Sequence, residues 1–99
     1  MSKFGELIDD KLPLLLVFSN ENEEVSTGMH PILKDVAAAL GDKGKVIKIN
    51  TEKNIKLSEA LRVKVIPTLM IYKYGEMVWR QSGDQDANTL ISLMKDQLN

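Results

Sequence analysis

The chain contains no cysteine among its 99 residues, and this absence excludes more chemistry than any other feature of its composition. A chain without a thiol forms no disulfide, offers no thiolate nucleophile and binds neither an iron–sulfur cluster nor zinc through sulfur. The redox compartment therefore cannot be read from cysteine usage. Histidine occurs once, at His30, and one imidazole cannot anchor a transition metal. We expect no metal and no other cofactor.

The chain also lacks a long apolar run. Its longest, residues 12–18, has seven residues, whereas a helix needs about 20 to cross a bilayer. Asp9 and Asp10 precede this run, and it has neither a basic n-region nor a small-residue cleavage site, so it does not resemble a signal peptide. We expect no membrane association, and a cytoplasmic location is the default prediction.

Aromatic residues make up only 5% of the chain, and its net charge is −1. The charge is uneven, because residues 1–40 carry a net −4, residues 41–80 a net +5 and residues 81–99 a net −2. The lysines at positions 43–64 are interleaved with acidic residues, which is typical of a solvated surface. No aromatic residue lies among them to stack on bases. We expect no nucleic-acid partner.

The overall composition is that of one small globular domain. Apolar residues account for 43% of the chain and charged residues for 27%, which is unlike a disordered or fibrous protein. A chain of this length can bury roughly 60% of the surface that it exposes when unfolded, enough for one core. No linker, repeat or low-complexity tract divides the sequence, so we predict a single domain over residues 1–99.

Four short apolar runs predict strands at residues 14–18, 46–50, 68–73 and 77–81. The first is apolar at every position, as is typical of a central strand buried on both faces. A helical pattern separates the first two strands and favours a parallel pair, whereas Gly75 allows the tight turn of an antiparallel hairpin. Met77 and Trp79 should point to one face, either packed under a helix or exposed to a partner.

Apolar residues at helical spacing predict four helices. They lie before the first strand, between the first and second strands, between the second and third, and at the C-terminal end. The polar run at residues 19–28 favours a loop, after which the second helix ends near Leu40. Residues suited to begin or cap these helices are Ser2, Ser26 or Thr27, Asn54, and Asp84 or Asp86.

In this order the elements resemble the thioredoxin fold, preceded by one added helix. The resemblance covers residues 12–98, and its clearest motifs are the Ile66-Pro67-Thr68 step at the start of the third strand and Gly83. Each motif is weak alone, whereas their joint order and spacing are specific. The resemblance implies an α/β thioredoxin-like fold, in which a central mixed sheet of about four strands is flanked by helices.

The redox apparatus of that family is missing as a unit. Without gaps, the family pattern places its Cys-Gly-Pro-Cys tetrapeptide on residues 23–26, which read Glu-Glu-Val-Ser. The aromatic residue that usually precedes the first cysteine is Asn22, and the buried acid of the first strand is Val17. Glutamates suit the positive end of a helix dipole but cannot transfer electrons. The resemblance therefore implies a redox-inactive member.

What the resemblance retains is a surface for an extended peptide. In the family the bond before this proline is cis, and the residue before it, here Ile66, pairs with a peptide by strand addition. The plainer alternative is a proline that merely starts a strand. We predict a redox-inactive domain whose partner is a protein or an extended peptide. The predicted groove comprises Glu23, Glu24, Ser26, Ile66, Pro67, Thr68 and Gly83.

Other functions stay open at this point. A thiol-disulfide oxidoreductase is suggested by family resemblance only and is disfavoured by the lack of cysteine. Glu23, Ser26 and His30 have the spacing of one helix face, as a hydrolase would need, but no oxyanion hole is signalled and we expect no catalytic residue. The oxygen-rich residues 20–24 lack a calcium-loop pattern and favour a solvated loop over a cation site. A structural subunit without a ligand site is the last alternative.

Overall fold

The structure is a computed structural model in which helices alternate with strands, except that two successive strands precede the last helix. It describes residues 3–9, 11–20 and 24–98, with the backbone alone described for residues 3 and 24–30. None of the helices in these ranges has the length and apolarity needed to cross a membrane. The elements are α1 (Lys3–Ile8), β1 (Leu14–Ser19), α2 (Glu24–Leu40), a 3₁₀ turn (Gly41–Lys43), β2 (Lys45–Asn50), α3 (Ile55–Ala60), β3 (Thr68–Lys73), β4 (Glu76–Ser82) and α4 (Ala87–Asp96).

The four strands form one mixed sheet in the order β2-β1-β3-β4. β1 is parallel to β2 and antiparallel to β3, and β3 and β4 form an antiparallel hairpin. The predicted fold class, the central position of β1 and the hairpin are thereby confirmed. β1 takes the central position because all its residues from 14 to 18 are apolar, and each of these is at most 1% exposed.

Two hydrophobic clusters cover the two faces of the sheet, since side chains alternate along each strand. Leu15 and Val17 belong to the cluster under α2 and α4, whereas Leu14, Leu16 and Phe18 belong to the cluster under α1 and α3. Each fully buried side chain of this size stabilises the fold by about 1.5–3 kcal/mol. The first cluster also contains Leu33, Val36, Leu40, Leu69, Ile71, Leu90 and Met94.

β4 carries a bulge that changes which face its side chains occupy. Trp79 pairs with Ile71 and Met77 pairs with Tyr72, so Val78 is an extra residue between them. Trp79 is half-buried against the α2/α4 cluster, while Tyr72 belongs to the cluster on the other face. The prediction that Met77 and Trp79 share a face is therefore wrong, because simple alternation ignores the bulge.

α2 begins earlier than predicted. It runs for 17 residues from Glu24 and contains Pro31, so Ser26 and Thr27 lie inside it and neither is its cap. An internal proline loses a backbone hydrogen bond and crowds the preceding turn. The helix continues because its second half buries an apolar stripe that includes Leu33, at 4% exposure, and such packing outweighs local preference.

Of the predicted helix caps, the one that the structure confirms is at α4. The Asp86 carboxylate accepts a hydrogen bond of 2.7 Å from the Thr89 backbone N–H, and this bond lowers the pKa of Asp86. Asn54 precedes α3 as predicted, but its amide donates to the Asn50 carbonyl at 2.9 Å instead of capping the helix. Ser2 lies outside the described residues.

Candidate functional site

Three of the predicted site residues meet where one end of the sheet passes into loops. Phe18 near the end of β1 pairs with Thr68 at the start of β3, and Thr68 pairs with Ser82 at the end of β4. Pro67 and Gly83 flank these two strands, and the Gly83 N–H donates to the Pro67 carbonyl at 2.8 Å. The fold thus brings Pro67, Thr68 and Gly83 together.

The segment before Pro67 leaves backbone groups unpaired. The Ile66-Pro67 peptide bond is cis, Pro67 is buried, Ile66 is partly exposed and the Val65 side chain is 55% exposed. Within the described residues, neither the N–H nor the C=O of Ile66 makes a hydrogen bond. Such groups on a partly exposed segment can pair with the extended backbone of another chain.

The same segment is held from within by its neighbours. The Thr68 hydroxyl, on a residue that is fully buried, donates to the Val65 carbonyl and lies 3.4 Å from the Ser82 hydroxyl. Upstream, the Val63 N–H donates to the Ser58 carbonyl at 2.9 Å. Because these bonds fix the chain on both sides of Ile66, its unpaired groups are presented by an ordered backbone.

Arg80 is a contributor that the predicted site did not include. Its guanidinium donates to the Leu61 carbonyl and, at 2.8 Å, to the Arg62 carbonyl. The guanidinium lies on the α1/α3 side of the sheet, near Tyr72. Burial raises the pKa of Tyr72, and the charge of Arg80 offsets part of that rise. One feature of the sequence points to Arg80. It is a charged residue in the predicted strand at residues 77–81, which is the hairpin partner of the strand that follows Pro67.

The acidic half of the predicted groove is not tested by the structure. Glu23 lies outside the described residues, and Glu24 and Ser26 are described only as backbone of α2. The same holds for His30, so the structure does not test the hydrolase alternative, and the prediction that the chain has no catalytic residue stays a prediction. Most of the candidate cation loop at residues 20–24 falls outside the description, and no cluster of three or more metal-binding side chains occurs elsewhere in the described chain.

Val17 shows what replaces the buried acid of the redox-active pattern. It is 1% exposed and lies in the apolar α2/α4 cluster. Its partner across the sheet, Leu69, belongs to the same cluster and is fully buried. A carboxylate here would be desolvated, which is costly, and its charged neighbour among the described residues would be the exposed Lys48, the partner of Val17 on β2. Around Val17 the described side chains of β1, β3 and α2 form a hydrophobic core.

A separate cleft of about 590 Å³ lies at the opposite end of the sheet. It is formed where the turn between β3 and β4 approaches the start of β1 and the end of α4, and its lining includes Pro13, Lys43, Tyr74 and Leu98. None of the predicted groove residues that the structure describes lines it. This cleft is thus remote from the Pro67 loop.

Comparison with known proteins places these features in a family. The family model for Thioredoxin matches residues 2–96. Chloroplastic thioredoxin Y of Oryza sativa subsp. japonica is 35% identical over 98 residues, which is 98% of this chain but 58% of the rice protein. Thioredoxin of Rickettsia prowazekii is 31% identical over 87 residues, covering 88% of this chain and 83% of the bacterial one. The chain therefore spans little more than half the length of the rice relative.

A solved structure agrees with the fold. A mutant thioredoxin from Halobacterium salinarum superposes with a TM-score of 0.86, over 100% of this chain and 86% of the archaeal one. Sequence identity in that pair is 23%, so the likeness bears on the fold alone.

Proposed function

The chain belongs to the thioredoxin family, and we propose that it serves as a binding module for an extended peptide or protein segment, without redox chemistry. Disulfide exchange needs a thiolate, and the 99 residues contain no cysteine. The family surface that does not depend on sulfur is the segment before Pro67. The proposal assigns the function of the chain to that segment.

The observation that carries the proposal is the backbone of Ile66, which has no hydrogen-bond partner among the described residues. A peptide laid alongside it in extended form would exchange two backbone hydrogen bonds, as in the addition of a strand to a sheet. Such bonds contribute roughly 0.5–1.5 kcal/mol each. The exposed side chain of Val65 adds an apolar contact beside them. We therefore propose a partner segment that is extended and carries an apolar side chain facing Val65 and Ile66.

The opposite wall of the groove is proposed to be the first turn of α2. α2 begins five residues after the end of β1, so its first turn lies within about 17 Å of the same end of the sheet. Glu23, Glu24 and Ser26 belong to this turn or adjoin it. Their carboxylates and hydroxyl would favour a partner segment with donors or a positive charge on that side.

Selection from a random peptide library, followed by affinity measurements, tests the proposal. Affinities of peptides retained by the unmodified protein are measured for Val65→Asp and Ile66→Asp, and for Ile55→Asp as the matched control. Ile55 is 57% exposed at the start of α3, so its variant introduces the same charge on an exposed β-branched residue away from the Pro67 loop. We expect Val65→Asp to weaken binding at least tenfold and Ile55→Asp to change it less than twofold.

Two results would contradict the proposal. One is a selection on the unmodified protein that yields no peptide above background. The other is equal affinity of the Val65→Asp and Ile55→Asp variants for the selected peptide. Amide chemical shifts locate the contact independently, and we expect the largest changes at residues 63–68 and at Gly83.

Disulfide oxidoreductase activity, which the family alone suggests, is disfavoured by the lack of a thiol. With dithiothreitol as reductant, we expect the purified chain to reduce insulin disulfides no faster than buffer. A rate above buffer would contradict this expectation. The predicted cytoplasmic location stays a prediction, because the relatives include bacterial and chloroplast proteins.

A further inference from the structure

The bulge in β4 determines which face of the sheet Arg80 occupies. If pairing continued regularly from the turn, Arg80 would lie opposite Leu69, within the buried α2/α4 cluster. The extra residue Val78 shifts the register by one, so that Arg80 pairs with Met70 and reaches the α1/α3 side. The same shift places Trp79 against the α2/α4 cluster. Bulges of this kind re-aim side chains.

On that side the guanidinium binds the backbone where α3 ends. It donates to the carbonyls of Leu61 and Arg62, which belong to the last turn of the helix and its exit, where carbonyls lack partners within the helix. Arg62 has a φ of +56°, a backbone conformation that side chains other than glycine rarely adopt and that needs surrounding contacts to hold it. One planar guanidinium on two successive carbonyls fixes the orientation of the peptide between them.

Three residues, 63–65, separate Arg62 from Ile66. A second anchor follows directly, since the Gly83 N–H donates to the Pro67 carbonyl at 2.8 Å. Arg80 lies on β4 and Gly83 follows its last residue, so one strand holds both ends of the segment formed by residues 62–67. Between the anchors, Ile66 keeps its backbone groups unpaired within the described chain.

We infer that Arg80 is the positioning residue of the peptide-binding segment, an inference that rests on the proposed function. Its guanidinium holds the exit of α3 so that residues 63–66 are already in place before a partner arrives. A partner then binds without ordering this segment, and affinity depends on Arg80 although Arg80 does not touch the peptide. The bulge at Val78 is the device that brings the guanidinium to this position.

Three variants test the inference. Arg80→Met keeps an unbranched apolar stem but removes every donor, and Arg80→Lys keeps a charge with a single donor group. Lys56→Met is the matched control, because it removes the same charge from an exposed position on α3. Each variant is first shown to be folded by its urea denaturation curve. Its affinity for a peptide selected on the unmodified protein is then measured.

Amide hydrogen exchange supplies a readout that needs no peptide. The Val63 N–H, bonded to the Ser58 carbonyl next to the Arg80 anchor, should exchange about tenfold faster in Arg80→Met. The Gly83 N–H, bonded at the other anchor, should change less than twofold in the same sample. Peptide affinity should fall five- to tenfold in Arg80→Met, with Arg80→Lys between it and the unmodified protein, and stay within twofold in Lys56→Met.

The outcomes separate this inference from the proposed function. If the unmodified protein retains no peptide, the proposed function fails and the inference fails with it. If it retains one and Arg80→Met binds that peptide equally well, the inference alone fails and Arg80 is a structural residue. Equal exchange of Val63 in Arg80→Met and the unmodified protein would also overturn it, because the guanidinium would then not hold the segment.

Discussion

Replacing Val17 by aspartate would return an acid to β1 at the position where the redox-active pattern of the family carries one. In this chain no thiol exists for that acid to serve. The site is 1% exposed and lies among apolar side chains of β1, β3 and α2, and Lys48 on β2 is its partner across the sheet. We therefore expect the substitution to act as the burial of a carboxyl group whose cost the exposed Lys48 ammonium offsets in part.

The magnitude follows from the burial. Loss of the valine side chain and burial of a neutral polar group cost about 2 kcal/mol. Burial raises the pKa of the introduced carboxyl by about 3 units, whereas the neighbouring Lys48 ammonium lowers it by about 1 unit. At neutral pH each of the remaining units, about 2, adds about 1.4 kcal/mol, which brings the total to about 5 kcal/mol. A small domain has only about 5–15 kcal/mol in all, so the variant should lose about a third or more of its stability near pH 7.

The sign of the pH dependence is part of the prediction. The folded-state pKa of the introduced acid lies above its unfolded value of about 3.9, so the folded state favours the protonated form. Its penalty is absent at low pH, grows as the pH rises above about 4, and levels off above the folded-state pKa. Val17→Asn is the matched control, because it buries a polar group of the same shape that does not titrate.

Urea denaturation between pH 4.5 and pH 8, followed by the fluorescence of the single tryptophan, Trp79, provides the assay. The free energy of unfolding of Val17→Asp minus that of Val17→Asn isolates the charge. A difference that stays within about 0.5 kcal/mol over this range would refute the reasoning. The space beneath α2 would then accommodate a charged acid, and the loss of the acid would say nothing about the loss of redox chemistry.

Three further substitutions have defined expectations. Thr68→Val removes the hydroxyl that donates to the Val65 carbonyl, and the free energy of unfolding in urea should fall by about 1 kcal/mol; no change would mean that this bond adds nothing. Gly83→Ala should lower stability by about 1–2 kcal/mol, because φ is +92° there although no atom lies within 4 Å of the added Cβ. Asp86→Ala should lower the melting temperature at pH 7. Since the Thr89 N–H lowers the pKa of Asp86, this loss should shrink as the pH falls through that lowered pKa, and a loss independent of pH would contradict the capping argument.

The parts of the fold that the sequence predicts are those that depend on local patterns. Residues 14–18 are apolar at every position, and only a strand covered on both faces can accommodate this. The cap of α4 follows from the acceptor of Asp86 three residues before the Thr89 N–H. The hairpin follows from Gly75, which adopts a φ of +80°. Each of these features is decided within a few residues of the pattern that signals it.

The features that the sequence did not predict depend on distant partners. The bulge at Val78 depends on how β4 pairs with β3. Residues 76–82 contain no glycine or proline that would indicate an irregular strand. α2 starts at Glu24, although the polar run at residues 19–28 and Pro31 both disfavour a helix there. The helix forms because packing of its second half outweighs these local helix propensities. Arg80 was missed for the same reason, since its acceptor carbonyls lie 18 and 19 residues earlier in the chain.

Loss of the thiols also limits how strongly this surface can hold a partner. A redox-active domain passes through a mixed disulfide that retains its partner covalently, whereas this chain has noncovalent contacts alone. Two backbone hydrogen bonds to Ile66 contribute roughly 1–3 kcal/mol, and one apolar side chain against Val65 about 1.5–3 kcal/mol. Association costs at least about 4 kcal/mol in lost translational and rotational freedom, before any ordering of the site. These terms leave at most about 2 kcal/mol, so a partner confined to residues 63–68 should bind with a Kd no lower than tens of millimolar. Tighter binding requires contacts with the first turn of α2, and a micromolar affinity that survives substitution of Glu23, Glu24 and Ser26 by alanine would contradict this estimate.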